Sequence, residues 1–266
     1  MTQAERRLYL IRSLLNEKTE YQSLNVPRDA GEQRKLLRSL MNVRMPKAAD
    51  EAFLRVQDEY LQQELADEGV TDLDDLRPVS GDLYLWQGDI TCLKCGAIVN
   101  AANSGMTGCY IPCHACIDNC IHTFAGVQLR QDCAALMAEQ GHEEPTGQAK
   151  ITKAYNLPCD YVLHTVGPIV SGRVTREDER LLASCYRSCL ELAEKNSVRS
   201  IAFCCISTGV FHFPNERAAE IAVETVRRCK VETGSKIKVV FNVFKDLDKT
   251  IYERLLGANC APAARA

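Results

Sequence analysis

The stretch Ala97-Ile98-Val99-Asn100-Ala101-Ala102-Asn103-Ser104-Gly105 decides how the chain is read. A short apolar run over residues 97–100 breaks into a loop of amides and small residues, the pattern of a strand that delivers polar groups at its carboxyl end. The pattern recurs. Residues 83–88 form a second strand candidate that runs into Asp89, and residues 200–206 a third that runs into Ser207. Strands are also expected over 161–166 and 237–244, with a weaker one over 149–154. Helical patterns lie between them, over 117–139, 177–196, 215–232 and 248–256. Strands alternating with helices predict an α/β domain whose sheet is covered on both faces. Such folds bind ligands beyond the carboxyl ends of their strands, where this chain places its Gly, Asn and Asp clusters.

Upstream the reading is helical. Thr2 and Glu5 have capping-box spacing ahead of Leu8, Ile11, Leu14 and Leu15. Asp29 and Glu32 repeat the signal before Leu36, Leu37, Leu40 and Met41, and Asp50 caps a third stripe carrying Phe53, Leu54, Val56, Tyr60 and Leu61. The basic residues Arg34, Lys35 and Arg38 read as a solvated face. Residues 67–82 read as a polar connector. The expected division is a helical extension, residues 1–75, and an α/β domain, residues 76–266.

Composition narrows the function classes. With 46% hydrophobic and 25% charged residues the chain is expected to be globular. A formal net charge of -3 argues against binding nucleic acid through a basic surface. No apolar run approaches the roughly 20 residues that span a bilayer. Residues 1–7 lack a secretory core, so a cytoplasmic setting is expected. There, 14 cysteines read as thiols, metal ligands and buried small side chains rather than as a disulfide framework.

Three loops can carry chemistry. In the first, Asp89 can accept from an exocyclic amine and a neighbouring backbone N–H can serve a ring nitrogen or phosphate, although Gly-Asp is also an ordinary turn. In the second, Asn100 and Asn103 each donate and accept, which suits the vicinal hydroxyls of a sugar; a polar loop with a left-handed Asn is the rival reading. In the third, Ser207-Thr208-Gly209-Val210-Phe211 precedes a helix, so backbone N–H groups and a helix N-terminus can hold phosphate. Between the second and third loops lies the most unusual segment, residues 108–122. Cys109, His114 and Cys116 form C-x4-H-x-C, a set that zinc prefers and that leaves one position open. Cys113 and Cys120 are possible substitute ligands, and buried thiols are the alternative reading. Cys92 and Cys95 read as structural, and Cys204 and Cys205 as core residues inside a strand. His142 and His164 read as structural too.

With these residues in place, the chain resembles the macrodomain family, and within it the zinc-containing microbial branch. The likeness runs in order through Gly88-Asp89-Ile90-Thr91, residues 97–104, Ile117-Asp118-Asn119-Cys120-Ile121-His122, His164-Thr165-Val166-Gly167-Pro168 and Ile206-Ser207-Thr208-Gly209-Val210-Phe211. The leading segment, including residues 37–44, looks like the extension of that branch. The resemblance implies a three-layer α/β/α fold with a mixed central sheet that binds ADP-ribose. By position, Asp89 and Ile90 would meet adenine, with Phe244 stacking on it. Residues Ser207, Thr208, Gly209, Val210 and Phe211 would wrap the diphosphate, and Asn100 and Asn103 would face the distal ribose. Cys109, His114 and Cys116 would hold zinc (Zn2+) beside that ribose. Two departures stand out: His212 where the family commonly has glycine, and Gly96 where an aspartate is frequent.

The activity that the resemblance implies is zinc-dependent hydrolysis releasing ADP-ribose from modified proteins, foremost from esters of aspartate or glutamate. Asn103 would hold the ribose, and Asp118 would position or deprotonate water, although capping the following helix is its rival role. The alternatives are a module that binds ADP-ribose without cleaving it, and a deacetylase acting on O-acetyl-ADP-ribose.

Overall fold

Each strand expected from an apolar run forms. The computed structural model describes residues 1–257, so the end of the expected second unit, residues 258–266, lies outside the described residues. Three helices lead: α1 (Gln3–Asn16), α2 (Ala30–Val43) and α3 (Glu51–Glu68). Their starts follow the sequence signals, since Thr2 and Glu5 close a capping box and Asp29 and Asp50 accept from Glu32 N and Phe53 N.

The segment expected as a plain connector contains a two-residue strand, β1 (Thr71–Asp72), paired in parallel with β3 (Leu93–Lys94). Strands this short show no side-chain period, so the alternation that marks a strand could not reveal them. The main sheet holds β2 (Leu83–Gln87), β4 (Ala97–Ala102), β5 (Ala149–Lys153), β6 (Tyr161–Val166), β7 (Ser200–Phe203) and β8 (Lys238–Val243), in the order β2-β8-β7-β4-β6-β5. Only β5 runs antiparallel, at the edge beside β6, so the sheet is mixed as expected. Central β4 is buried through Ala97, Ile98 and Val99, which gives it the continuous apolar run of a strand covered on both faces.

The helices of this domain are α4 (Ile117–Ala125), α5 (Val127–Gln140), α6 (Arg176–Lys195), α7 (Asn215–Thr233) and α8 (Asp246–Gly257). One helix was expected over 117–139, yet two form, broken at Gly126. This glycine has φ +100, and a Cβ on it would meet Gln57 Nε2 at 2.6 Å and Gln128 Oε1 at 2.8 Å. The break lets α3 approach: Gln57 Oε1 accepts from Val127 N (2.9 Å). A second correction concerns Cys204 and Cys205. Strand β7 ends at Phe203, where its pairing with β4 and β8 stops, so both cysteines lie beyond it. Cys204 is nonetheless buried, and the Cys205 thiol reaches Asn242 O at 3.7 Å.

Two apolar cores result. One lies around the sheet. The other is made by Leu10, Ile11, Leu37, Leu40, Phe53 and Tyr60 with further residues of α1–α3, and Val127 of α5 joins it. Among the described residues, no helix is long and apolar enough to cross a membrane.

Candidate active site

The carboxyl ends of β2, β4, β7 and β8 and the start of α4 carry the expected residues. Strand β4 delivers Asn100 into complete burial. Its Nδ2 donates to Asp118 Oδ1 at 2.8 Å and lies 3.2 Å from His164 Nδ1. Asn103 Nδ2 donates to Asp118 Oδ2 at 3.2 Å and to Gly108 O at 3.2 Å. One strand amide and one loop amide therefore hold both oxygens of one carboxylate. Asn100 Oδ1 is buried without a hydrogen-bond partner, and an orphaned acceptor of that kind normally has a partner in the working state.

Asp118 is itself buried. Burial pushes its carboxyl up to about 6, while the Asn100 hydrogen bond, the Arg130 charge and Asn103 pull it down. It does not cap α4. That position belongs to Cys116, whose Sγ accepts from Asn119 N at 3.4 Å. A thiolate there gains from the helix dipole.

Cys109, His114 and Cys116 come together, with their ligand atoms all within 4.8 Å of one another. Cys109 Sγ and His114 Nδ1 are 3.6 Å apart. A tetrahedral zinc with ordinary Zn–S and Zn–N bonds places such atoms ~3.6 Å apart, so the trio fits that ion. Burial pushes the Cys116 thiol up to about 12, and Cys109 and Asp118 add to the shift against the pull of Asn119 N. The two substitute ligands turn elsewhere. Cys113 Sγ sits 3.2 Å from Ser39 Oγ and 3.4 Å from Lys35 O, and Cys120 Sγ accepts from Arg38 Nη2 at 3.4 Å. Of Cys92 and Cys95, the latter donates to Ala97 O at 3.2 Å. All the described cysteines are free thiols.

At the other end of the row of strands, Asp89 Oδ1 accepts from Thr91 N (2.9 Å) and Thr91 Oγ1 (2.7 Å) and caps a single 3-10 turn. The N–H of Ile90, first in that turn, has no partner within it. Gly88 N donates to Val243 O (3.0 Å) and Asn242 Nδ2 to Gly88 O (2.9 Å), tying this loop to the end of β8 where Phe244 stands 75% exposed. Residues 207–213 curl back on themselves: Phe213 N donates to Ser207 O (3.0 Å) and His212 N to Gly209 O (3.1 Å). A Cβ at Gly209 would meet nothing within 4 Å.

Both departures have physical explanations. His212 has φ +57, a left-handed conformation that suits glycine, so the histidine accepts strain where the family commonly avoids it. A Cβ at Gly96 would stand 2.8 Å from Ser200 O, so an aspartate there would displace the start of β7.

Several residues beside the site carried no sequence signal for a role. His122 of α4 is buried, both its ring nitrogens lack hydrogen-bond partners, and its Nε2 is 3.6 Å from Asp118 Oδ1. His122, Cys133 and His164 form a second cluster with ligand atoms within 4.8 Å of one another. His164 Nε2 is 3.0 Å from Thr152 Oγ1. Arg130 spans the space between the site and the extension. Its guanidinium lies 4.4 Å over the Tyr110 ring, and its Nη1 donates to Met41 O (3.2 Å), Asn42 O (2.6 Å) and Arg44 O (2.7 Å) at the end of α2. Arg38, expected on a solvated face, instead donates to the C-x4-H-x-C loop and the first turn of α4. The charge pattern could not show this, because the acceptors lie 76 and 81 residues away.

Comparison with known proteins bears on this geometry. The Macro domain family profile matches residues 99–222. A protein named "Protein-ADP-ribose hydrolase" from Treponema medium is 62% identical, covering 96% of this chain and 100% of that protein. One of the same name from Staphylococcus aureus (strain MSSA476) is 50% identical, covering 92% of each. Among solved structures, the Trypanosoma brucei macrodomain in complex with ADP-ribose superposes with a TM-score of 0.65 at 33% identity, covering 83% of this chain and 95% of that one.

Proposed function

This chain belongs to the macrodomain family, and from that premise we propose that it is a zinc-dependent hydrolase releasing ADP-ribose from modified proteins, foremost from aspartate and glutamate esters. That the chain is an enzyme follows from the hydrolases it matches over nearly its whole length. The observation that carries the finer reading is a trio of zinc-type ligands beside a carboxylate whose two oxygens are held by the two sugar-facing amides.

Cys109, His114 and Cys116 would hold the ion. A zinc ion bound by this trio supplies Lewis acidity next to the sugar. The chain's own residues do the rest. Asn100 offers its orphaned Oδ1 to a hydroxyl of the distal ribose, and Asn103 borders the same space. Asp118, fixed by both, orients a water and takes its proton as that water adds to the ester carbonyl. The products are a free side-chain carboxyl and a ribose hydroxyl. At the far end Asp89 accepts from the adenine amine, Ile90 N–H meets the ring and Phe244 stacks on it. Between them Ser207, Thr208, Gly209, Val210 and Phe211 wrap the diphosphate ahead of α7. We place the division at a helical extension, residues 1–75, and an ADP-ribose-binding domain, residues 76–266; α1–α3 share one apolar core and the sheet another, with Leu73 and β1, just before that boundary, already joined to the sheet side. The thiol-rich loop favours a cytoplasmic setting.

The test is to incubate the protein with aspartate/glutamate-linked and serine-linked ADP-ribosylated proteins, with and without a chelator. Release from the first substrate alone, lost on chelation and restored by zinc, is expected. Release untouched by exhaustive chelation removes zinc from the reading, and release from the serine-linked substrate alone removes the ester preference.

A further inference from the structure

The C-x4-H-x-C loop carries one internal backbone bond, His114 N to Ile111 O at 3.2 Å, and is otherwise braced from outside. Cys113 has φ +53, a left-handed conformation unfavourable for a residue with a side chain. Its N–H donates at 2.9 Å to Asn42 Oδ1, which belongs to α2 of the extension. One turn earlier on the same helix stands Arg38. Its Nη2 donates to His114 O (2.9 Å) and Asn119 Oδ1 (3.1 Å), and its guanidinium lies 5.9 Å from the Phe124 ring centroid.

Asn119 is the hub of this arrangement. Its Nδ2 donates to Cys109 O (3.2 Å) and Ile111 O (3.0 Å), and its backbone N–H to Cys116 Sγ (3.4 Å). The amide can face those two carbonyls only while its oxygen faces donors; Arg38 is the nearer one at 3.1 Å, with Thr123 Oγ1 at 3.5 Å. Two of the three ligand residues are therefore held through one guanidinium, His114 by its own carbonyl and Cys109 through the Asn119 side chain, while Cys116 follows on the backbone N–H of the same residue.

We infer that Arg38 is a positioning residue for the metal loop, through which helix α2 of the extension sets how tightly Cys109, His114 and Cys116 hold their cation. This rests on the zinc reading of that trio. Groups that orient metal ligands change metal affinity or activity by about 10–100-fold when removed. Arg38 touches neither the ion's donor atoms nor the sugar-facing amides, so its loss acts on the cation and leaves substrate recognition alone.

The experiment uses the full chain, stripped of metal and titrated with zinc against a chromophoric chelator, in wild type, Arg38→Met and Arg38→Lys. Methionine keeps the apolar stem over Phe124 and removes the donors. Arg38→Met is expected to bind zinc about 10–100-fold more weakly. Its kcat should return toward wild type with excess zinc while KM for the ADP-ribosylated protein stays unchanged, and Arg38→Lys should recover part of the affinity. A zinc affinity of Arg38→Met equal to wild type overturns the inference. Should Arg38→Met not be obtained folded, Asn42→Ala removes the acceptor for Cys113 N–H and reads the same clamp: weaker zinc binding is expected, and unchanged binding overturns it. A wild-type chain that takes up no zinc overturns the reading of the trio itself, and this inference with it.

Discussion

Two clusters of cysteine and histidine lie close to Asp118, one on either side of it in sequence. Cys109, His114 and Cys116 precede it; His122, Cys133 and His164 follow it. In both, the potential ligand atoms fall within 4.8 Å of one another, so distance alone does not tell them apart. Their surroundings do. The first trio is half-buried in a loop without regular secondary structure, close to the Asn100–Asp118–Asn103 cluster. The second is fully buried between helices and sheet, and burial drives His164 down to about 4 and His122 well below its ordinary value, with His164 and Arg130 reinforcing the latter shift. His164 also has its ring nitrogens placed against Asn100 and Thr152. Reachability is what separates the two: the first trio is open to an arriving ion, whereas the second is enclosed even though both His122 ring nitrogens lack a partner.

The largest effect that separates the clusters is on turnover. Replacing Cys109 or Cys116 with serine, or His114 with alanine, should lower ADP-ribose release by ~10³-fold or more, the several kcal/mol that a Lewis acid supplies. Cys133→Ala should instead cost about 1 kcal/mol of stability in denaturant melts, with kcat near wild type. Equal kinetic losses in the two sets would erase the distinction.

Next comes Asp118, which stands between them. Asp118→Asn keeps a side chain of the same shape against Asn100 and Asn103 but removes the proton acceptor. Turnover should fall about 10²–10⁴-fold while calorimetry still records ADP-ribose binding. A variant that turns over normally would leave Asp118 a structural role only.

Acid should strike the second cluster. His164 is held near 4, below the 6.5 of an ordinary histidine, so the unfolded chain binds its proton more readily than the folded one. The stability from keeping His164 neutral is present above pH 6.5 and is lost as pH falls toward 4, amounting to about 3 kcal/mol over that window. Urea melts should show wild type losing more stability than His164→Gln between pH 7 and 4.5; parallel losses would mean that the histidine is not held neutral by the fold. The smallest effect tests the same ring. Thr152→Val removes the hydroxyl 3.0 Å from His164 Nε2 and should cost about 1–2 kcal/mol, with zinc content unchanged.

What could be read from the sequence divides along similar lines. The strands and their polar carboxyl ends were legible because apolar runs and turn residues are local signals, and the C-x4-H-x-C trio because its ligands lie within eight consecutive residues. Arg38 and Arg130 were not legible. Their partners are carbonyls and an amide contributed by a different unit of the chain, and a carbonyl has no side-chain identity to betray it. Gly126 looked like one glycine inside a helical pattern, because the Gln57 side chain that fills its place comes from α3. Asp118 was legible as a carboxylate but not as one held by two amides, which only the approach of β4 to α4 brings about.

The most direct measurement is the metal content of gently purified protein by elemental analysis, in wild type, Cys109→Ser and Cys133→Ala. The account predicts one zinc per chain in wild type and in Cys133→Ala, and its loss from Cys109→Ser. No stoichiometric metal in wild type, or zinc retained by Cys109→Ser and lost from Cys133→Ala, would contradict it.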